Sequence, residues 1–181
     1  MESPSPATDP AAALLELIRL AHAGERAAAL AYRGHARSVR DAGERARIAE
    51  IEAEEWHHRE QLAKMLAESG AGPARWRELR AGVIGRALSV LCHLAGWFAP
   101  MYGAGRLERR NIIEYETAAR LARACGRTEW IDCFLAMAEV EWEHERYFRE
   151  KAASHPFTRR IGLWDPPPPK AAIRESFHAG G

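Results

Sequence analysis

Four long segments of this chain each set a glutamate into the middle of a stripe that is otherwise apolar at helical spacing. In the first, Leu14, Ile18, Ala21, Glu25, Ala28 and Tyr32 step by three or four residues and therefore face one way. The second runs Ile48, Ile51, Glu55, His58, Leu62 and Met65, and the last runs Phe134, Met137, Glu141, His144 and Phe148. Both carry an EWxH unit, Glu55-Trp56-His57-His58 and Glu141-Trp142-Glu143-His144. Side chains three residues apart lie about 60° apart around a helix, so each Glu and His can reach one ion or two adjacent ions. A buried carboxylate costs several kcal/mol unless it is paired, which rules out any fold that leaves these groups isolated in its core.

Sustained alternation and β-branched runs are absent, and helical periodicity dominates. Asp9-Pro10 opens a helix that is expected to last to about Arg40. Asp41-Ala42-Gly43 predicts a tight turn before a second helix to about Glu68, and Ser69-Gly70-Ala71-Gly72-Pro73 breaks the chain. An apolar piece from Gly82 to Ala99 precedes Pro100, which suits the first turn of a further helix reaching Ala124. Cys125-Gly126-Arg127-Thr128 offers a terminating glycine and a threonine N-cap for a last long helix, Glu129 to Ala153. The expected architecture is all-α: a ferritin-like four-helix bundle of two helical hairpins, with an apolar crossover helix and an extended C-terminal tail. Residues 1–9 are expected to be a flexible N-terminus, 10–154 the bundle, and 155–181 a largely irregular tail in which AAIRESF allows a helical turn or two.

The third bundle helix offers Glu108, Glu114 and Glu116. An internal comparison favours Glu108: Glu25-Arg26 precedes Tyr32 by seven residues, and Glu108-Arg109 precedes Tyr115 by the same interval. That register puts Met101, Ala104, Asn111, Ala118 and Ala122 on the Glu108 face, while Glu114, with its own stripe, stays a competitor. Glu25, Glu55, His58, Glu108, Glu141 and His144 are thus the candidate ligands of two metal ions, four carboxylates and two imidazoles drawn together by concentrated positive charge. Oxygen and nitrogen donors suit iron or manganese. Tyr32 and Tyr115 are candidates for bonding a ligand or relaying an electron. His57 lacks apolar companions, and Glu52, Glu54, Glu139, Glu143 and Glu145 read mainly as a solvated face, some as hydrogen-bond partners of ligands. Trp56 and Trp142 read as packing residues, and His22 and His35 as structural ones.

A formal charge of +1 gives no electrostatic case for nucleic acid. Three scattered cysteines suggest free thiols, and the polar start MESPSPATDP lacks the features of a signal peptide, so a cytoplasmic location is expected.

The stretch HAGERAAALAYRGH resembles the opening motif of the demethoxyubiquinone hydroxylase family, whose HAGE supplies a glutamate ligand (here Glu25) and whose Y-x-G follows as Tyr32-Arg33-Gly34. The family's ExxH pairs match Glu55/His58 and Glu141/His144, and its third-helix glutamate matches Glu108. The resemblance covers about residues 14–150. It departs where the family's HY becomes Glu114-Tyr115, where the Pro-Trp segment survives only loosely, and where an acidic lead into the last ExxH becomes Met137-Ala138-Glu139-Val140. It implies a di-iron monooxygenase that uses O2 and an external electron donor to hydroxylate a quinone-like ring, peripheral on the cytoplasmic face of a membrane. The apolar 82–104 segment is then a membrane-contacting helix, a plain core element or a homo-oligomer contact. The alternative is a ferritin-like protein that oxidises iron or consumes peroxide.

Overall fold

The computed structural model describes residues 9–179, so all but the last residue of the N-terminal segment 1–9 lies outside it. The described residues form α1 (Pro10–Ser38), α2 (Ala42–Glu68), α3 (Arg75–Leu94), α4 (Phe98–Ala124), α5 (Ile131–Ala153), α6 (Thr158–Ile161) and α7 (Ala171–Ala179), with a 3-10 turn at Thr128–Trp130 and no strand among them. The two-hairpin bundle expected from the sequence is present as α1/α2 and α4/α5, which meet along α1 and α4.

Local chemistry sets the boundaries. Asp9 accepts a hydrogen bond from the Ala11 amide, and Pro10 occupies the first turn, where its missing N–H is no loss. Helix α1 stops two residues short of the expected Arg40, because Val39 turns extended and buries its side chain. Asp41 then caps α2 by accepting from the Glu44 amide at 2.8 Å, so Ala42 and Gly43 belong to the helix rather than to a separate turn. Gly126 ends α4 at φ 78°, and the Arg127 amide closes back on the Ala122 carbonyl at 2.8 Å. The expected threonine cap is corrected: Thr128 begins the 3-10 turn, and α5 starts at Ile131 without a side-chain cap. Burial of Trp130, whose indole donates to Glu68 at 2.8 Å, pulls the connection inward and delays the helix.

The apolar core falls into two clusters. One gathers Leu14, Ile18, Leu62, Met65, Ile112, Tyr115, Phe134 and Met137, and the other Ala28, Tyr32, Ile48, Ile51, Met101 and Phe148. Between them in sequence, on all four bundle helices, lie the buried Glu25, Glu55, His58, Glu108, Glu141 and His144.

Helix α3 lies outside the bundle and runs parallel to α1, as its successive contacts show. Glu78 accepts from His22 and Arg26, Gly85 abuts Ala27, and Gly34 meets Ser89. A Cβ on Gly34 would stand 2.4 Å from the Ser89 Cα, so the two backbones touch only because no side chain intervenes. The outer face of α3 leaves Trp76, Leu79, Val83, Val90 and Leu94 exposed. The crossover is therefore half packed and half bare, and none of the described helices is long and apolar enough to cross a membrane.

Beyond α5 the chain returns across the bundle. Trp164 donates to Glu145 at 2.6 Å, Lys170 pairs with Glu143, and Ile173 and Phe177 of α7 are buried. Replacing Gly34 by Val should lower unfolding free energy by about 1–3 kcal/mol through forced separation of α1 and α3. Denaturant unfolding checks this, and an unchanged midpoint would contradict the close approach.

Candidate metal centre

Six side chains from four helices converge at mid-bundle. Glu25 comes from α1, Glu55 and His58 from α2, Glu108 from α4, and Glu141 and His144 from α5, and each is at most 4% exposed. Donor atoms of Glu25, Glu55, His58 and Glu141 lie within 4.8 Å of one another, as do those of Glu55, Glu108, Glu141 and His144. Glu55 and Glu141 belong to both groups, so the geometry offers two adjacent positions with two shared carboxylates. Glu114, Glu116 and His57 lie outside both.

The hydrogen bonds around the cluster cross between the hairpins. Tyr32 on α1 donates to Glu108 on α4, and Tyr115 on α4 donates to Glu25 on α1. Residue 25 is thus level with 115 and residue 32 with 108, so α1 and α4 run antiparallel. The seven-residue interval, a rise of about 10 Å on each helix, lets both bonds form at once. Asn111, one turn beyond Glu108, donates to Glu108 at 2.8 Å and to Glu141 at 3.4 Å. His144 uses Nε2 on Glu54 at 2.7 Å, which leaves Nδ1 facing Glu55 at 3.2 Å and Glu141 at 3.7 Å. His58 Nδ1 lies 3.0 Å from Glu141.

These approaches are close, yet they do not satisfy the atoms involved. Glu25 Oε2, both oxygens of Glu55, His58 Nδ1, Glu141 Oε1 and His144 Nδ1 are buried without a hydrogen-bond partner. Among the described residues only His35 Nε2 and the Tyr147 hydroxyl share that condition. Buried polar atoms are normally paired, so six orphans in one cluster call for a partner that side chains do not provide. Cations fit: the orphans are lone-pair donors, and the donor set is oxygen-rich with two imidazoles.

Electrostatics agree. Burial, and then the charge of Glu55, pushes the Glu25 carboxyl well above its ordinary range, and burial with Glu141 does the same to Glu108. Against burial, His144 and His58 hold Glu141 below its ordinary value. Also against burial, Glu141, Glu54 and Glu55 raise His144 well above its own. Added positive charge would offset the burial that pushes Glu25 and Glu108 upward.

Two residues outside the donor groups support the cluster. Glu54, placed mainly on a solvated face, reaches the far nitrogen of His144, and Arg47 approaches Glu54 at 3.3 Å. Asn111 was placed on the right face but given no role. Its spacing from Glu108 was the available signal. Glu145 is buried beneath Trp164 rather than solvated. His22 serves the Glu78 clamp, as a structural histidine would.

A model of the family described as ubiquinone biosynthesis protein COQ7 matches residues 12–120. The chain belongs to the COQ7 family. No curated protein and no solved structure gave a match. COQ7 proteins are ferritin-like bundles of di-iron type, and the buried carboxylate and histidine cluster of this chain is compatible with a metal site. The matched span carries α1, α2 and most of α4, and α5, which completes the cluster, lies beyond it.

Two expectations follow. Burial and neighbouring carboxylates push Glu25 and Glu108 toward their protonated forms, so loading with a divalent ion should release protons into weak buffer, and affinity should fall as pH is lowered. Titration with a pH indicator measures this, and proton-neutral loading would contradict it. Glu54→Gln should weaken the binding of one of two ions by about 10–100-fold by loosening His144. Isothermal titration would then resolve two unequal steps.

Proposed function

We propose that this protein is a di-iron monooxygenase that inserts one atom of O2 into an aromatic C–H bond of a quinone-like ring, as in ubiquinone biosynthesis. The observation that carries this reading is a cavity of about 480 Å³ between α1, α3 and α4, whose wall includes Tyr32, the donor to Glu108. Its volume falls in the range of small-molecule sites. Ala27, Ala28, Ala31, Ile84, Leu88 and Leu91 give it an almost wholly apolar lining, suited to a prenylated ring.

Glu25, Glu55, His58, Glu108, Glu141 and His144 would hold two iron ions, with Glu55 and Glu141 common to both. The bound ions would supply activation of O2, one atom going to the ring and the other to water, with two electrons from an external donor and two protons from solvent. The residues of the chain do the rest. Glu54 fixes the ring of His144 so that Nδ1 faces the cluster. Asn111 and Tyr32 orient the two oxygens of Glu108, and Tyr115 does so for Glu25. Alanines and glycines on the facing sides of α1 and α4 leave room for the ring while apolar walls exclude water. The bare face of α3, with Trp76, Leu79, Val83 and Leu94, would rest on a membrane surface and let a prenyl tail pass from bilayer to cavity.

Cells lacking the protein should accumulate an under-hydroxylated quinone, detected by quinone profiling. Normal quinones with altered iron or peroxide tolerance would overturn the proposal in favour of iron handling. Ala31→Phe, which fills the cavity from α1, should cut ring hydroxylation by roughly ten-fold or more while iron content stays at the wild-type level. Wild-type turnover would remove the cavity from the mechanism.

A further inference from the structure

A second, more polar pocket opens on the α1/α4 seam. It has a volume of about 200 Å³ and its lining includes Glu25, Tyr115 and Asn111 of the site together with Arg110 and Glu114. Glu25 is 4% exposed, and its Oε2 has no hydrogen-bond partner. Glu114 is half-buried, outside both donor groups, and takes part in no hydrogen bond or ion pair among the described residues. Arg110 precedes it by one helical turn and is exposed. The seam thus carries two openings that share only Gly24, Ala28 and Leu107. One is apolar and leads past Tyr32, and the other runs from a partly solvated carboxylate to a buried one.

We infer that the pocket lined by Glu114 and Glu25 is the route by which divalent cations reach the metal centre, with Glu114 as the capturing carboxylate. This rests on the reading of the cluster as a metal site. A divalent cation cannot shed its water against the apolar walls of the larger cavity without a large desolvation cost. Along the smaller pocket it exchanges water for the Glu114 carboxylate and then for the free oxygen of Glu25. Glu114 lines the same pocket as Glu25 but stands outside both donor groups, so it borders the centre without belonging to it. Arg110 opposes capture through its like charge. Separate openings let the centre be filled without passing through the substrate cavity.

The test is the rate of Co²⁺ uptake by the metal-free full-length chain, followed by visible absorption in a stopped-flow instrument. Elemental analysis gives the end point. Glu114→Gln should load about ten-fold more slowly than wild type, in line with electrostatic steering into a charged cleft, and still reach two ions per chain. Arg110→Gln, at an exposed position, should load faster. Added salt should slow wild type more than Glu114→Gln. Equal rates for all three proteins, with two ions bound in each, overturn the route alone. A Glu114→Gln protein that ends with fewer ions makes Glu114 a ligand and overturns its role as a capturing group. Wild type that takes up no cobalt overturns the metal-centre reading and the route with it.

Discussion

Four buried carboxylates share one small volume at the middle of this bundle, and the fold is viable only if something offsets their mutual repulsion. Two imidazoles and two tyrosine hydroxyls offset part of it, yet six donor atoms stay unpaired. Packing cannot relieve the remainder, because the two clusters that flank it are apolar and bring no counter-charge. Protonation offers one escape, and bound cations the other. Protonated imidazoles would each pair with neighbouring carboxylates, whereas two cations would engage all six orphaned atoms at once, which is why the metal reading explains more of the geometry than an acid-lined core would.

The two hairpins are near copies in their chemistry. Each contributes Glu…Tyr at a seven-residue interval and one Glu-x-x-His, and each tyrosine serves the glutamate of the other half. That exchange locks the register of α1 against α4 and ties the hairpins together at the site itself. The copies diverge just behind the histidines. Glu54 precedes Glu55 and backs His144, whereas the corresponding position before Glu141 is Val140, which has no carboxylate to offer His58. The two donor groups of this chain therefore differ in how firmly their histidines are held.

Much of this was legible in the sequence because it depends on a single helical period. The stripes through Glu25, Glu55 and Glu141 predicted which faces are buried, and the structure buries every residue of those three stripes. Choosing Glu108 over Glu114 required the internal repeat, since both lie on plausible faces, and Glu108 joins the cluster while Glu114 does not. What stayed hidden depends on register between helices. Glu54 looks solvated on α2 alone and meets His144 only once α5 is placed against it. The delayed start of α5 likewise follows from where Trp130 finds its pocket, and no capping signal reports that. Helix α3 was ambiguous because its apolar residues fall on more than one side, and its glycines, Gly82 and Gly85, mark the face that meets α1.

Cations at mid-bundle are the central requirement of this chemistry. Crystals of the iron-loaded chain, measured at the iron absorption edge, test this most directly. Two anomalous peaks should appear side by side, one near Glu25 and His58, the other near Glu108 and His144, with Glu55 and Glu141 touching both. A map with no peak among these six side chains, or with iron bound only at the surface, would contradict it.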